Sequence, residues 1–68
     1  MFNENKFRGK VAENRMTLTG VADRLGINAV TLNRKMNGQS DFTRAEIQEL
    51  RSILCLDAHD VESIFFST

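Results

Sequence analysis

The chain has 68 residues and a single cysteine, which makes it one domain, residues 1–68, near the lower size limit at which a core holds without a staple and with no second module to house a small-molecule inducer pocket. One cysteine excludes an internal disulfide, and Cys55 with the lone His59 cannot furnish the three or four protein ligands of a typical zinc site, so neither metal nor cofactor is expected. The formal net charge is zero, yet it is unevenly spread: residues 1–44 hold eight Lys or Arg against four acids and residues 45–68 hold one against five, which gives the first part the positive potential that phosphate binding requires.

Along the chain one pattern recurs, an apolar residue, a capping residue and a second apolar residue four beyond the cap: Phe2-Asn3 with Phe7, Met16-Thr17 with Val21, Ile27-Asn28 with Leu32, Phe42-Thr43 with Ile47, and Leu56-Asp57 with Val61. Each instance matches a hydrophobic staple around an N-cap, and the last two are strengthened by Glu46 and Asp60 three residues after the cap. Five helices are therefore predicted to start at about residues 4, 18, 29, 44 and 58, with no strand.

The first helix turns Phe7 and Val11 inward and shows Lys6, Arg8 and Lys10 to solvent, while Gly9 within it costs up to about 1 kcal/mol relative to Ala. No apolar run here or elsewhere approaches the roughly 20 residues of a membrane span, and MFNENKFRGK lacks an apolar signal core, so a reducing, cytoplasmic setting is expected. In the second helix Leu18, Val21, Ala22 and Leu25 form one stripe at i, i+3, i+4 and i+7. Gly26 follows as a left-handed stop, Ile27 returns to the core and Asn28 caps the third helix, so two helices meet within four residues. A crossing that close leaves room only for a small side chain, which accounts for Ala22 opposite Leu32.

On the third helix, at 100° per residue, Leu32 and Met36 share one side; Val30 and Arg34 lie opposite, Asn33 and Thr31 flank them, and Ala29 sits at the N-terminal tip. Asn37-Gly38 ends it. After a polar loop at residues 39–41, Arg44 falls in the first turn of the fourth helix, an unfavourable place for a cation against the helix dipole unless a phosphate or a minor groove compensates. That helix buries Ile47, Leu50, Ile53 and Leu54, and Cys55 is expected as a small core residue beside Leu54 and Leu56. Asp57 caps a new helix between Cys55 and His59 and breaks their i, i+4 pairing, so catalysis is not expected. The fifth helix presents Val61, Ile64 and Phe65, with Phe66 after it. Two adjacent phenylalanines in so small a protein suggest an exposed contact patch, the alternative being that both close the core over the first helix.

The order of Ala22, Gly26 and Leu32 within TLTGVADRLGINAVTLNRKMNG resembles the DNA-binding helix-turn-helix, and from about Lys6 to Phe66 the sequence is similar to the phage repressor and Cro type, the xenobiotic-response-element-like regulators. The resemblance implies a compact all-α, five-helix, lambda-repressor-like domain that binds a double-stranded DNA operator in the cytoplasm of a bacterial or phage-infected cell. It implies a small transcriptional repressor, a homodimer at least on DNA. It assigns base-edge reading to Ala29, Val30, Asn33 and Arg34, and Arg44 stands where family members direct an arginine at the minor groove. These residue types suit base reading, since arginine forks onto guanine, asparagine onto adenine, and Ala or Val touches a thymine methyl. Phosphates would be held at the helix N-termini by Thr17, Asn28 and the nearby Thr31, and by Lys35, Asn37 and the loop leading to Arg44. Two positions depart from the family: Leu18 replaces a frequent phosphate-binding Gln, and Lys35 occupies a commonly apolar position while Met36 is apolar instead, which predicts a rotated or repacked helix end. The rival reading is a helix-turn-helix antitoxin or modulator acting mainly through protein contacts, with the acidic half and Phe65-Phe66 as its surface.

Overall fold

Side-chain caps start every helix. The structure is a computed structural model that describes residues 2–66, and within them the chain forms α1 (Glu4–Glu13), α2 (Leu18–Leu25), α3 (Ala29–Met36), α4 (Arg44–Ile53) and α5 (Ala58–Phe65), with no strand among the described residues. The five caps are the five predicted ones. Oδ1 of Asn3 accepts from the Lys6 N–H at 3.1 Å, Oγ1 of Thr17 from Gly20 at 3.0 Å, Oδ1 of Asn28 from Thr31 at 2.7 Å, Oγ1 of Thr43 from Glu46 at 3.1 Å, and Oδ1 of Asp57 from Asp60 at 2.7 Å. Glu46 and Asp60 reach back to the N–H groups of Thr43 and Asp57, closing two capping boxes.

The first four helices also stop alike. Arg15, Gly26, Gly38 and Cys55 each adopt a left-handed backbone, at φ of 56°, 77°, 87° and 54°. The N–H of the following residue then reaches the carbonyl five positions back: Met16 to Val11, Ile27 to Ala22, Gln39 to Arg34 and Leu56 to Arg51, all within 2.9–3.1 Å. This corrects the expectation for Cys55. The left-handed turn sends its side chain out to solvent while Leu54 and Leu56 on either side are buried.

Every helix places at least one fully buried side chain at the centre: Phe7, Val21, Leu32, Leu50 and Ile64, joined by Leu54 at the end of α4. Burying such a side chain stabilises by about 1.5–3 kcal/mol, so the core rests on each helix in turn. α2 packs on α3 and α4, and α1 on α5 and α2. Ala22 is buried beneath the α2–α3 junction in the same cluster as Leu32. At one end Phe2, Phe7, Phe42 and Phe65 form an aromatic group in which neighbouring rings have centroids 5.1–6.2 Å apart, and the Asn3 N–H donates to the Ile64 carbonyl at 2.7 Å, tying the first turn to α5. The adjacent phenylalanines divide: Phe65 is 8% exposed and closes the core, whereas Phe66 is 54% exposed.

Candidate nucleic-acid interface

α3 presents two faces of different chemistry. Leu32 and Met36 are buried against the core, while on the other side Val30 is 58% exposed and Asn33 and Arg34 are exposed beside it; Ala29 and Thr31 are half-buried at the first turn. Val30 is thus a β-branched residue on a solvated helix face, where it gains little from burial. The turn that sets α3 against α2 is local: Gly26 supplies the left-handed step, its N–H donates to Asp23 at 3.1 Å, and Asn28 caps α3 two residues later.

The other polar candidates are exposed but partly engaged. Thr17 and Asn28 use an oxygen to cap their own helices, which leaves the hydroxyl hydrogen of one and the two amide hydrogens of the other as donors. Asn37 accepts from the Gln39 N–H at 3.3 Å through Oδ1, again leaving its amide hydrogens. Arg44 is exposed as the first residue of α4. Of the eight cations in residues 1–44, Arg8 pairs with Glu4 at 2.7 Å, Lys10 with Asp60 at 3.5 Å and Glu13 at 3.7 Å, and Lys35 with Glu46 at 3.0 Å. Lys6, Arg15, Arg24, Arg34 and Arg44 are exposed and belong to no ion pair among the described residues. The positive potential of this part is therefore carried by these five.

Lys35 differs from the expectation of a solvated phosphate ligand. Among the described residues it is the one charged side chain that is buried, 9% exposed, and its Nζ donates to the Asp41 carbonyl at 2.9 Å, meets Glu46 Oε1 at 3.0 Å and lies 6.0 Å from the centre of the Phe42 ring. Lys35 and Met36 are both buried, so the end of α3 is repacked to admit a lysine stem and a paired ammonium. Burial pushes the Glu46 carboxyl up, but the Thr43 N–H and the Lys35 ammonium outweigh it and hold the carboxyl below the usual carboxylate range.

Asp57, His59 and Asp60 bring potential ligand atoms within 4.8 Å of one another, a cluster that helical periodicity does not signal. The capping box of α5 explains the approach of the two carboxylates, and the Lys10 ammonium supplies the positive charge. The Asp57 N–H, followed by the charge of Lys10, holds the Asp60 carboxyl below its ordinary value. In return, against desolvation that lowers it, Asp60 and Glu13 raise the Lys10 ammonium. Although no small-molecule pocket was expected, a broad-mouthed groove of about 500 Å³ runs beside Phe2, Phe42, Phe65 and Phe66. Among the described residues no helix is long and apolar enough to cross a membrane. No protein-family model matches the chain, and no curated protein is significantly similar to it in sequence.

Proposed function

We propose that the chain is a sequence-specific double-stranded DNA-binding protein, a small phage-type transcriptional repressor of lambda-repressor-like fold, with α2 and α3 as its helix-turn-helix and α3 in the major groove. The observation that carries this reading is the solvated arc of α3, where exposed Val30 and Arg34 stand opposite buried Leu32 and Met36 and exposed Asn33 flanks them. That arc combines a methyl-bearing side chain, an amide and a guanidinium, the set that reads thymine, adenine and guanine edges. Ala29 and Val30 contact base edges at the tip, Asn33 and Arg34 further along, and Thr17, Asn28, Thr31, Asn37 and Arg44 hold phosphates or the minor groove. One helix reads only a few base pairs, so two copies on half-sites about 34 Å apart, related by a two-fold axis, would supply useful specificity.

The test is selection of duplexes from a random pool, followed by binding isotherms on the winning site and on a scrambled one. Selection of one short palindrome occupied by two copies is expected. Arg34→Ala should then weaken binding to the selected site by about 1–3 kcal/mol and lose less on scrambled DNA. Arg44→Ala should act most where the flanks are A·T-rich, because a narrow minor groove attracts a guanidinium. A pool that yields no consensus would favour the second reading, a helix-turn-helix antitoxin or modulator, for which the half-exposed ring of Phe66 is the supporting observation.

A further inference from the structure

A lysine whose ammonium is nearly shut off from water has to be held by its surroundings, because an unpaired buried charge is not tolerated. At Lys35 the partners all come from the segment that follows α3. The Asp41 carbonyl lies in the loop at 2.9 Å, the Phe42 ring flanks the ammonium at 6.0 Å, and Glu46 Oε1 in the first turn of α4 is 3.0 Å away. The same Glu46 oxygen accepts the Thr43 N–H at 2.8 Å, while Thr43 Oγ1 accepts the Glu46 N–H at 3.1 Å. One carboxylate oxygen thus joins the last turn of α3, the loop and the cap of α4, and Arg44 is the residue directly after that cap.

We propose that Lys35 is a positioning residue: it clasps residues 41–46 to the end of α3 and so fixes Arg44 relative to the exposed face of α3, and its influence on DNA binding passes through Arg44 rather than through a phosphate. This rests on the DNA-binding reading above. Two of the three ammonium N–H groups are taken by Asp41 and Glu46 and the residue is 9% exposed, so a lysine that counts toward the positive half in the sequence is an internal tie in the fold. Methionine at this position keeps the apolar stem and removes the tie.

A double-mutant cycle on the selected duplex tests the idea, with Lys35→Met, Arg44→Ala and the pair. Each single variant is expected to bind about tenfold more weakly, a change of about 1.4 kcal/mol, and the pair no more weakly than Arg44→Ala within about twofold. Losses that multiply would mean that Lys35 touches DNA itself and would overturn the proposal, as would a Lys35→Met variant that binds like the wild type. An NMR titration decides the clasp without DNA. In folded Lys35→Met the Glu46 carboxyl should rise toward its ordinary range and the amides of residues 39–44 should exchange faster; an unmoved carboxyl and unchanged exchange would overturn the clasp. Should Lys35→Met fail to fold, Glu46→Gln takes its place, keeping the cap while removing the ion pair. It should then weaken binding only when Arg44 is present, whereas tighter binding from the lost negative charge would overturn the proposal. If the wild-type chain selects no duplex, the DNA reading and this consequence of it fall together, and the titration still decides whether the clasp exists.

Discussion

The two glycine-terminated helix ends, at Gly26 and Gly38, and the two ends at Arg15 and Cys55 have the same backbone form but different reasons for it. At Gly26 and Gly38 a Cβ would meet nothing within 4 Å, so glycine is there for its left-handed φ and not for space. Arg15 and Cys55 hold φ of 56° and 54° with a side chain attached, which is unfavourable by roughly 1–2 kcal/mol each. What offsets that cost is tertiary. The residue after each returns to the core, Met16 half-buried and Leu56 buried. Asn14 then braces the two ends against each other, its amide donating to the Lys10 carbonyl at 2.8 Å and across the molecule to the Leu54 carbonyl at 3.0 Å. The glycine ends bracket α3 and are locally self-sufficient; the other two are held by a contact spanning 40 residues.

The largest effect should come from cutting that brace. Asn14→Ala removes the side-chain donor from the part-buried Leu54 carbonyl, while the Lys10 carbonyl keeps the residue-14 backbone N–H at 3.2 Å, and a buried acceptor left without its partner costs about 1–3 kcal/mol. Asn14→Asp should lose nearly as much, because a carboxylate has no N–H to give. Urea unfolding should show a lower midpoint with an unchanged slope. Stability equal to the wild type in both variants would mean that the ends of α1 and α4 stand alone, and the contrast with the glycine ends would collapse.

The same contrast explains what is legible in the chain. All five caps and helix starts can be read because each is a local signal, an Asn, Thr or Asp between two apolar residues, and the glycine ends of α2 and α3 can be read for the same reason. Cys55 cannot, since nothing near it in sequence marks a left-handed residue, and its flanking leucines argue for burial. Asn14 gives no signal because its second acceptor comes from Leu54. Lys35 follows Leu32 by three residues and so borders the buried side of α3, but the partners that hold its ammonium there, Asp41 and Glu46, come from the loop and the next helix and leave no signal within α3 itself. At the candidate interface the wheel of α3 turns Val30, Asn33 and Arg34 outward, as the structure does, because that face depends only on periodicity. Phe65 and Phe66 cannot be told apart in sequence, since which of two adjacent rings a short terminal helix turns inward is decided by the aromatic group of Phe2 and Phe42.

A smaller effect sharpens the comparison from the glycine side. Gly26→Ala and Gly38→Ala should each destabilise by about 1–2 kcal/mol, all of it conformational because the added methyl meets open space. The matched substitutions Arg15→Ala and Cys55→Ala should change stability by no more than about 0.5 kcal/mol, since the unfavourable φ is already present in the wild type and exposed positions away from special features respond weakly. Four denaturation curves suffice. Equal losses at all four positions would show that the side chains of Arg15 and Cys55 contribute packing as well as occupying a turn.

A small effect of opposite sign belongs to Cys55→Gly. Removing the side chain relieves roughly 1–2 kcal/mol of left-handed strain in the folded state, while the added freedom of glycine stabilises the unfolded chain by about 0.4–1 kcal/mol. The first exceeds the second, so a net gain of about 0.5–1 kcal/mol is expected, and for a domain of this size about 1 kcal/mol moves the melting temperature upward by roughly 4–8 °C. The gain depends on the thiol doing no packing, as its exposure indicates. Were Cys55 a core residue, the same substitution would empty a site between Leu54 and Leu56 and lower the melting temperature instead. A calorimetric scan therefore separates the two accounts by sign alone. Repeating it in the Asn14→Ala background tests the brace once more: if the brace is what holds Cys55 left-handed, glycine should recover more stability there than in the wild type, because a residue that favours the conformation by itself needs the brace least.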